Sequence, residues 1–576
     1  MYPSSHKLKT LPQESESVAQ MQTSVGNSTQ DLAGLDLESR QIILDTLGLV
    51  RKRLLPKEKI LEFDKKGVFP EDIIREMMGP DIGLQLLFIP EQYGGMGGGA
   101  RDSCALTMEM AKICLGVATA FFAIQLGADP IMFAGTEEQK QKWLGKIAEG
   151  DVLVSYAVTE PEAGSNLASL KTKAEPVQND AGQITGYVIN GNKQFVSNGG
   201  YADFITVLAK TQEGPTFFIV EKGMEGFHQG KGEEKHGIRA SNTSPLTFTD
   251  VFVPVENLLG GIPGKGLKQA NLVFGHTRLM VAALGLGAGK AALDIVIDYA
   301  KKRVQFGSPL SEKQGYTHKL VVPHAVRFEA AAAYMEEQAT RFDAGEGGLQ
   351  VDGSIAKYFA TEASNKAADD AIQALGGYGY MAEYEVEKIK RDVKITCIYE
   401  GTSEIQQNII STFRWRTTVR SKGEYYGAMA QEMDALHASV PEIGAETYAW
   451  AAKTLNETIM FVHDHKLTRQ QYIMFCLADM MTHTEVGISM ARKAKHLIQD
   501  KSSQAKRIVI MSRIFASEVA ELIARNTIKI VTGSGLTDKE IPSSLKEKIG
   551  YEGSIASHSG LIQDMNAVAD ILFGRE

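Results

Sequence analysis

The feature that most constrains the fold is a change of grain near residue 151. Over residues 152–255 the chain runs in short stretches, VLVSYAV, GYVIN, DFITVLAK, TFFIVE and PLTFTDVFVP, split by turn residues. β-Branched and aromatic residues at this density specify strands. Asn190-Gly191-Asn192 and Gly199-Gly200 read as hairpin turns. Helical patterns flank the block: 42–55, 70–78 and 105–124 before it, and 281–300, 322–343, 354–374, 386–395 and 403–414 after it. Further helical runs cover 448–463, 469–499 and 505–532. The expectation is an α+β chain, mostly α, with an antiparallel β domain set between helical ones.

A chain of 576 residues is long for one core. We divide it into a disordered lead-in (1–36), an N-terminal helical domain (37–152), a middle β domain (153–265), a helical bundle (266–420) and an extra C-terminal helical domain (421–576). The net charge of −9 argues against a nucleic-acid surface. Cys104, Cys114, Cys397 and Cys476 have no CxxC spacing and read as free thiols of a reducing compartment. The lead-in carries Glu14 and Glu16 and no Arg before Arg40, unlike a targeting peptide. A cytoplasmic location is the expectation. There is no run of 18 apolar residues, so no membrane span is expected. The segment 445–463 lacks the dense Lys/Arg face of a membrane-surface helix and reads as a cover for the core.

Several motifs are absent or misleading. Gly285-Leu286-Gly287-Ala288-Gly289-Lys290-Ala291 imitates a phosphate loop, but Leu284 and Ala291 stand where Gly and Ser/Thr are required, inside a helical pattern. No dinucleotide fingerprint opens a helix after a strand, no HExxH or other metal spacing occurs, and no G-x-S-x-G elbow is present. One stretch does suggest chemistry: Tyr399-Glu400-Gly401-Thr402-Ser403-Glu404-Ile405-Gln406 places a lone carboxylate between an apolar run and a new helix. Desolvation there raises its proton affinity toward that of a general base. A helix-capping acid is the plainer reading of the same residues.

Three further stretches bear on that choice: YAVTEPEAGSN (156–166), GNKQFVSNGG (191–200), and RVQFG (303–307) paired with QALGGYGY (373–380). With YEGTSEIQ, in this order and spacing, they closely resemble the acyl-CoA dehydrogenase family over residues 40–415. The last ~150 residues resemble the extra helical domain of its long-chain-type members. The resemblance implies an N-terminal helical domain, a middle antiparallel β domain and a C-terminal four-helix bundle. It implies FAD as cofactor, an acyl-CoA substrate oxidised to a trans-2-enoyl-CoA, and an electron-transfer flavoprotein as partner. On it, Glu400 is the base that removes the α proton while the β hydrogen leaves as hydride to flavin N5. Thr277 stands where some relatives carry the base.

The same resemblance assigns Tyr156, Val158 and Thr159 to the flavin ring, with Phe195 as its aromatic wall and Ser197 as the hydroxyl near N5. Ser165 falls to the pyrophosphate or the acyl-CoA. Arg303, Gln305, Phe306 and Gln314 go to the adenine half of a neighbouring subunit's FAD. Gln373, Gly376 and Gly377 go to the pyrophosphate, and Thr402 and Glu404 to the cofactor rim. Arg278, Tyr399 and Gly401 go to substrate. Gly275 and His276 depart from medium-chain relatives, which have an Asp shortly before the arginine. Phe121 and Phe122 either shorten the acyl tunnel or pack the core. A homodimer is expected, since the extra domain takes the space of a second dimer. An acyl-CoA oxidase or a non-catalytic scaffold on the same fold are the competing readings.

Overall fold

The computed structural model describes residues 34–535, 543, 545 and 556–575, so nearly all of the lead-in expectation lies outside the described residues. The N-terminal part is helical: α1 (Leu37–Arg53), α2 (Lys57–Lys66), α3 (Glu71–Met78), α4 (Ala100–Ile113), α5 (Leu115–Ala134) and α6 (Glu137–Ala148). Local chemistry sets several starts. Asp36 caps α1 by accepting the Ser39 N–H at 2.7 Å, and Thr136 and Gln139 form a capping box on α6. The run 105–124, read as one helix, is broken at Cys114, whose extended backbone (φ −162°) separates α4 from α5. The break lets α4 lie along α7 (Gly266–Lys302) while α5 packs under the first strand. α5 and α7 are long and apolar enough to span a membrane, yet 78% and 72% of their most apolar windows are buried inside the protein. They are core helices.

The sheet contains β1 (Val154–Ala157), β2 (Lys173–Gln178), β3 (Ile184–Ser197), β4 (Phe204–Thr211), β5 (Gly214–Glu221), β6 (Phe227–Gln229) and β7 (Thr243–Pro254). Its order is β1-β4-β2-β3-β7-β6, with β5 also on β4. Most pairs are antiparallel, and β1 joins β4 in parallel. Gly199-Gly200 does turn the chain between β3 and β4. Asn190-Gly191-Asn192 does not: β3 runs through it, with a register shift against β7. A Cβ on Gly191 would stand 2.5 Å from Thr172 Oγ1, and Asn190 bonds both the side chain and the N–H of Asp250. The glycine serves a bulge, not a hairpin.

Beyond the sheet, the phosphate-loop imitation lies inside α7. A Cβ on Gly287 would come 2.2 Å from the Met108 carbonyl, and one on Gly289 2.7 Å from Ser364 Oγ. These glycines are a packing seam for α4 and α10 (Gln350–Leu375). The short hairpin β8–β9 (Val304–Gln305, Ser308–Pro309) and α8 (Gln314–Leu320) lead to α9 (Val322–Asp343). After α10 come α11 (Glu385–Val393) and α12 (Ser403–Arg420). The last block holds α13 (Glu424–Ser439), α14 (Ala445–Asp464), α15 (Gln471–Gln499), α16 (Ala505–Gly533) and α17 (Leu561–Phe573). Its seam with α12 is ionic: Arg414 meets Glu485 at 2.8 Å and Asp352 at 3.1 Å.

Candidate active site

Glu400 occupies the turn between α11 and α12, with φ of 54°, followed by Gly401 at 90°. Two consecutive left-handed residues reverse the chain, and a non-glycine residue held so is strained by about 1–3 kcal/mol. The surroundings enforce the turn. Gln406 Nε2 donates to the carbonyls of Glu400 (2.9 Å) and Gly401 (3.0 Å), and Lys357 Nζ donates to that of Gly401 at 2.7 Å. Thr402 caps α12 by accepting the Ile405 N–H. Among the described residues, Phe195, Phe306 and Glu400 are three of the nine non-glycine residues with positive φ. Strain thus falls on positions singled out from the sequence for ring, adenine and base.

Among the described residues the Glu400 carboxylate accepts one hydrogen bond, from Thr277 Oγ1 at 3.1 Å. Enclosure pushes its proton affinity above the ordinary glutamate range; Thr277, Arg278 and Lys357 pull it down, and Asp129 adds to the rise. Both cations are themselves under stress. Burial lowers Arg278 to about 10, with Glu400 opposing, and lowers Lys357 to about 8. Arg278 donates to Ser354 Oγ (3.0 Å) and the Gln350 carbonyl (3.3 Å). The hydroxyls of Tyr399 and Tyr156 are buried without a partner, and burial and then the charge of Glu400 act on Tyr156. A carboxylate with one neutral donor, beside unpartnered hydroxyls, has its proton acceptor to spare.

Other candidate residues fall in two places. At the end of β1, Val158 is buried, its carbonyl accepts from Lys193 Nζ at 3.1 Å, and the Thr159 carbonyl accepts the Gln194 N–H. Lys193 is itself buried against Glu160 at 2.8 Å, and burial lowers it to about 8. Phe195 is 65% exposed, Ser197 is half-buried, and Ser165 is exposed. The second place is the far end of α7. Arg303, Gln305 and Phe306 are exposed there, Phe306 at 97%, with the Arg303 guanidinium 5.8 Å from the Tyr378 ring. Gln373, Gly376 and Gly377 lie beside them on the exposed end of α10, and a Cβ on either glycine would meet no atom within 4 Å. Gln314 is engaged elsewhere, donating to Asn566 of α17 at 3.0 Å. Glu404 is exposed at the start of α12.

The sequence reading missed Lys357, Lys193 and Asp129. Asp129 had a visible signal, being the one charged residue of α5. Lys357 and Lys193 act across 44 and 35 residues of chain, which no local pattern reports.

An exposed aromatic on a β domain, bare glycine backbone facing open space, and an enclosed carboxylate with raised proton affinity suit a flavoprotein that takes protons from carbon. Residues 38–151, 155–251, and 264–413 with 429–547 match the N-terminal, middle and C-terminal domains described as those of acyl-CoA dehydrogenase. The chain belongs to the acyl-CoA dehydrogenase family. An acyl-CoA dehydrogenase of Bacillus subtilis (strain 168) is 41% identical over 63% of this chain and 94% of its own length. A short-chain-specific acyl-CoA dehydrogenase of Megasphaera elsdenii is 40% identical over 62% and 92%. An acyl-CoA dehydrogenase of Bacillus anthracis, solved with FAD, superposes with a TM-score of 0.80 at 25% identity, over 96% of this chain and 99% of that one. That similarity takes in the C-terminal block. The protein is an FAD-dependent oxidoreductase acting on acyl-CoA.

Proposed function

We propose that the protein oxidises the Cα–Cβ bond of a saturated acyl-CoA to the trans-2-enoyl-CoA, with Glu400 as the base. The single observation that carries this is the Glu400 carboxylate: enclosed, raised in proton affinity, and held at a strained turn with Thr277, alone among the described residues, donating to it. Thr277 occupies the place of the alternative base and instead orients Glu400. Bound FAD supplies the acceptor for the β hydrogen as hydride. The chain does the rest. Arg278 and Lys357 keep the carboxylate from being too weak an acid to ionise before substrate arrives. The exposed Phe195 ring offers the flavin an apolar wall, Ser197 a hydroxyl, and Gly376-Gly377 a bare backbone for pyrophosphate.

A short acyl group is favoured. Thr119 of α5 lies near the Tyr399 hydroxyl without a hydrogen bond to it, and Phe122, one helical turn on, packs edge-on against Phe121 at 5.5 Å. Bulky rings at this point of α5 leave less room for an acyl chain than small residues would, and the relative from Megasphaera elsdenii is short-chain specific. A homodimer is supported by distance along α7. Arg278 and Arg303 are 25 positions apart on or just after one helix, so about 38 Å separates them at 1.5 Å per residue. The exposed arm 303–306 therefore serves the flavin of a partner copy. The electrons taken up by bound FAD would be handed to an electron-transfer flavoprotein, and the place of work is the cytoplasm.

Anaerobic titration of the yellow protein with acyl-CoAs of increasing length, following flavin bleaching, tests the reading. Bleaching is expected first with short chains and is lost in Glu400→Gln with FAD retained. A flavoprotein that no acyl-CoA bleaches would sink it in favour of a scaffold, and oxygen consumption matching turnover would make it an oxidase.

A further inference from the structure

The turn that carries Glu400 is held by two side chains, Lys357 of α10 and Gln406 of α12. Each has a chain neighbour engaged with the C-terminal block. Tyr358, next to Lys357, donates its hydroxyl to Asp479 Oδ1 of α15 at 2.8 Å. Gln407, next to Gln406, donates from Nε2 to the same Asp479 oxygen at 2.8 Å and to the Tyr358 hydroxyl at 3.0 Å. The three side chains close a ring of hydrogen bonds. Through it one carboxylate of the C-terminal block meets both helices beside the base.

Helix geometry explains the pairing. Successive residues of an α-helix point about 100° apart. So α10 turns Lys357 to the Gly401 carbonyl and Tyr358 to α15, and α12 turns Gln406 to the Glu400 turn and Gln407 to α15. The grip continues into apolar packing. Phe359, the next residue of α10, is met edge-on by the His483 ring at 5.2 Å and by Phe515 of α16 at 5.6 Å. His483 Nδ1 lies 2.8 Å from the Asp479 carbonyl, so the same turn of α15 supplies both contacts. The Arg414 seam is a separate fastening, about two helical turns further along α12.

We propose that Asp479 is a positioning residue for the base: through Tyr358 and Gln407 it sets where Lys357 and Gln406 stand, and so holds the Glu400 turn. It touches no reacting atom. Glu400 sits at positive φ, a conformation that persists only where the surroundings over-determine it. Asp479 supplies part of that constraint from the C-terminal block, which thereby does more than cover the core. The proposal rests on the reading of Glu400 as base.

The test compares Asp479→Leu, which removes the acceptor, with Asp479→Asn, which keeps an oxygen there. Arg492→Met is the control, since it strips the same helix of its 2.7 Å contact with Glu337 of α9. Two readouts are taken on the FAD-loaded full chain. One is hydrogen exchange of the backbone N–H groups of residues 398–406, followed by mass spectrometry without ligand. The other is single-turnover flavin reduction by the saturated acyl-CoA that bleaches the wild type fastest, with its rate separated from ligand affinity. In Asp479→Leu, exchange is expected to quicken and reduction to slow, each about tenfold, with affinity and FAD content kept. Asp479→Asn should restore both to within about twofold of wild type, and Arg492→Met should leave both unchanged. Wild-type exchange or a wild-type rate in Asp479→Leu, or equal changes in Arg492→Met, would overturn the proposal. Reduction at the wild-type rate in Glu400→Gln would instead remove the base assignment, while the exchange data still report on the turn. Should Asp479→Leu not fold, Tyr358→Phe deletes one bond of the ring. Both readouts should then move about threefold, and wild-type values would count against Asp479 in the same way.

Discussion

Two buried carboxylates, one just before α12 and one on α15 facing its side, are treated in opposite ways. Glu485, from α15, receives Arg414 Nε at 2.9 Å, Arg414 Nη2 at 2.8 Å and the Tyr426 hydroxyl at 2.9 Å. Burial works against the Arg414 charge, and Glu485 and Asp352 more than restore it. Glu400, just before α12, receives one threonine hydroxyl, with two tyrosine hydroxyls left unfilled nearby. A well-satisfied network fixes a geometry, since both carboxylate oxygens are engaged by donors. An unsaturated one leaves capacity for a substrate or a proton. The first fastens the C-terminal block to the core, and the second is where chemistry belongs.

The largest effects should separate the two sites by what is lost. Glu400→Gln removes a general base and should cut flavin reduction by about 10²–10⁴-fold. It should not cost stability. The folded carboxyl has a raised proton affinity, so between the ordinary glutamate value and the raised one the folded state binds more protons than the unfolded. Stability therefore falls as pH rises through that window, and the uncharged Gln escapes the fall. Thermal melts at pH 5 and pH 8 should show the variant gaining on wild type at the higher pH. Equal melts at both would mean that Glu400 is solvated rather than enclosed.

Glu485→Gln should do the reverse, since stripping a partner from a buried pair costs about 3–5 kcal/mol. Any folded fraction should bind FAD and be bleached normally. The double change Arg414→Met with Glu485→Leu should regain much of the loss, because an apolar pair of similar bulk avoids the unpaired charge. Chemical denaturation of the three forms decides this, and a double variant as weak as the single one would argue that the network is needed for more than neutralisation.

Legibility in the sequence follows the same division. Strands, helices and the Glu400 turn were readable because apolar periodicity and turn residues are local. The break at Cys114 was not, since residues 105–124 are mostly apolar and only packing of α4 on α7 and α5 under β1 decides where they part. Asn190-Gly191 misled because a bulge and a hairpin ask for the same residues. Thr277 was legible only as something unable to be a base. That its hydroxyl holds Glu400 depends on two segments 123 residues apart. Asp129 could have been noticed as a lone charge in an apolar helix; its histidine partner lies 147 residues on.

Lys357 tests how far the Glu400 turn depends on its supports. Lys357→Met removes the 2.7 Å bond to the Gly401 carbonyl and one of the charges lowering the Glu400 proton affinity. The buried ammonium, lowered to about 8, is costly to keep. The loss of a charged hydrogen bond, about 1.5–3 kcal/mol, is thus offset by the end of that desolvation. Stability should change little, while flavin reduction slows about tenfold as the turn loosens. A variant much less stable yet equally fast would make Lys357 a structural residue like Arg414.

The smallest effect is the most specific. Thr277→Val keeps the shape of the side chain and deletes the only hydrogen bond the Glu400 carboxylate accepts among the described residues. That bond favours the ionised form, so its loss raises the Glu400 proton affinity further. A neutral hydrogen bond of about 1 kcal/mol corresponds to somewhat less than one pH unit. The acidic limb of kcat/KM against pH, which reports the free enzyme's base, should therefore move to higher pH by up to about 0.7 unit, with the plateau rate nearly kept. Tm should hardly change, since one neutral hydrogen bond is lost and no charge is stranded. A limb that stays put would mean the bond does not favour the ionised form of Glu400 in the free enzyme. A shift to lower pH would mean that Thr277 had been donating to a protonated Glu400's neighbour and not to the carboxylate itself.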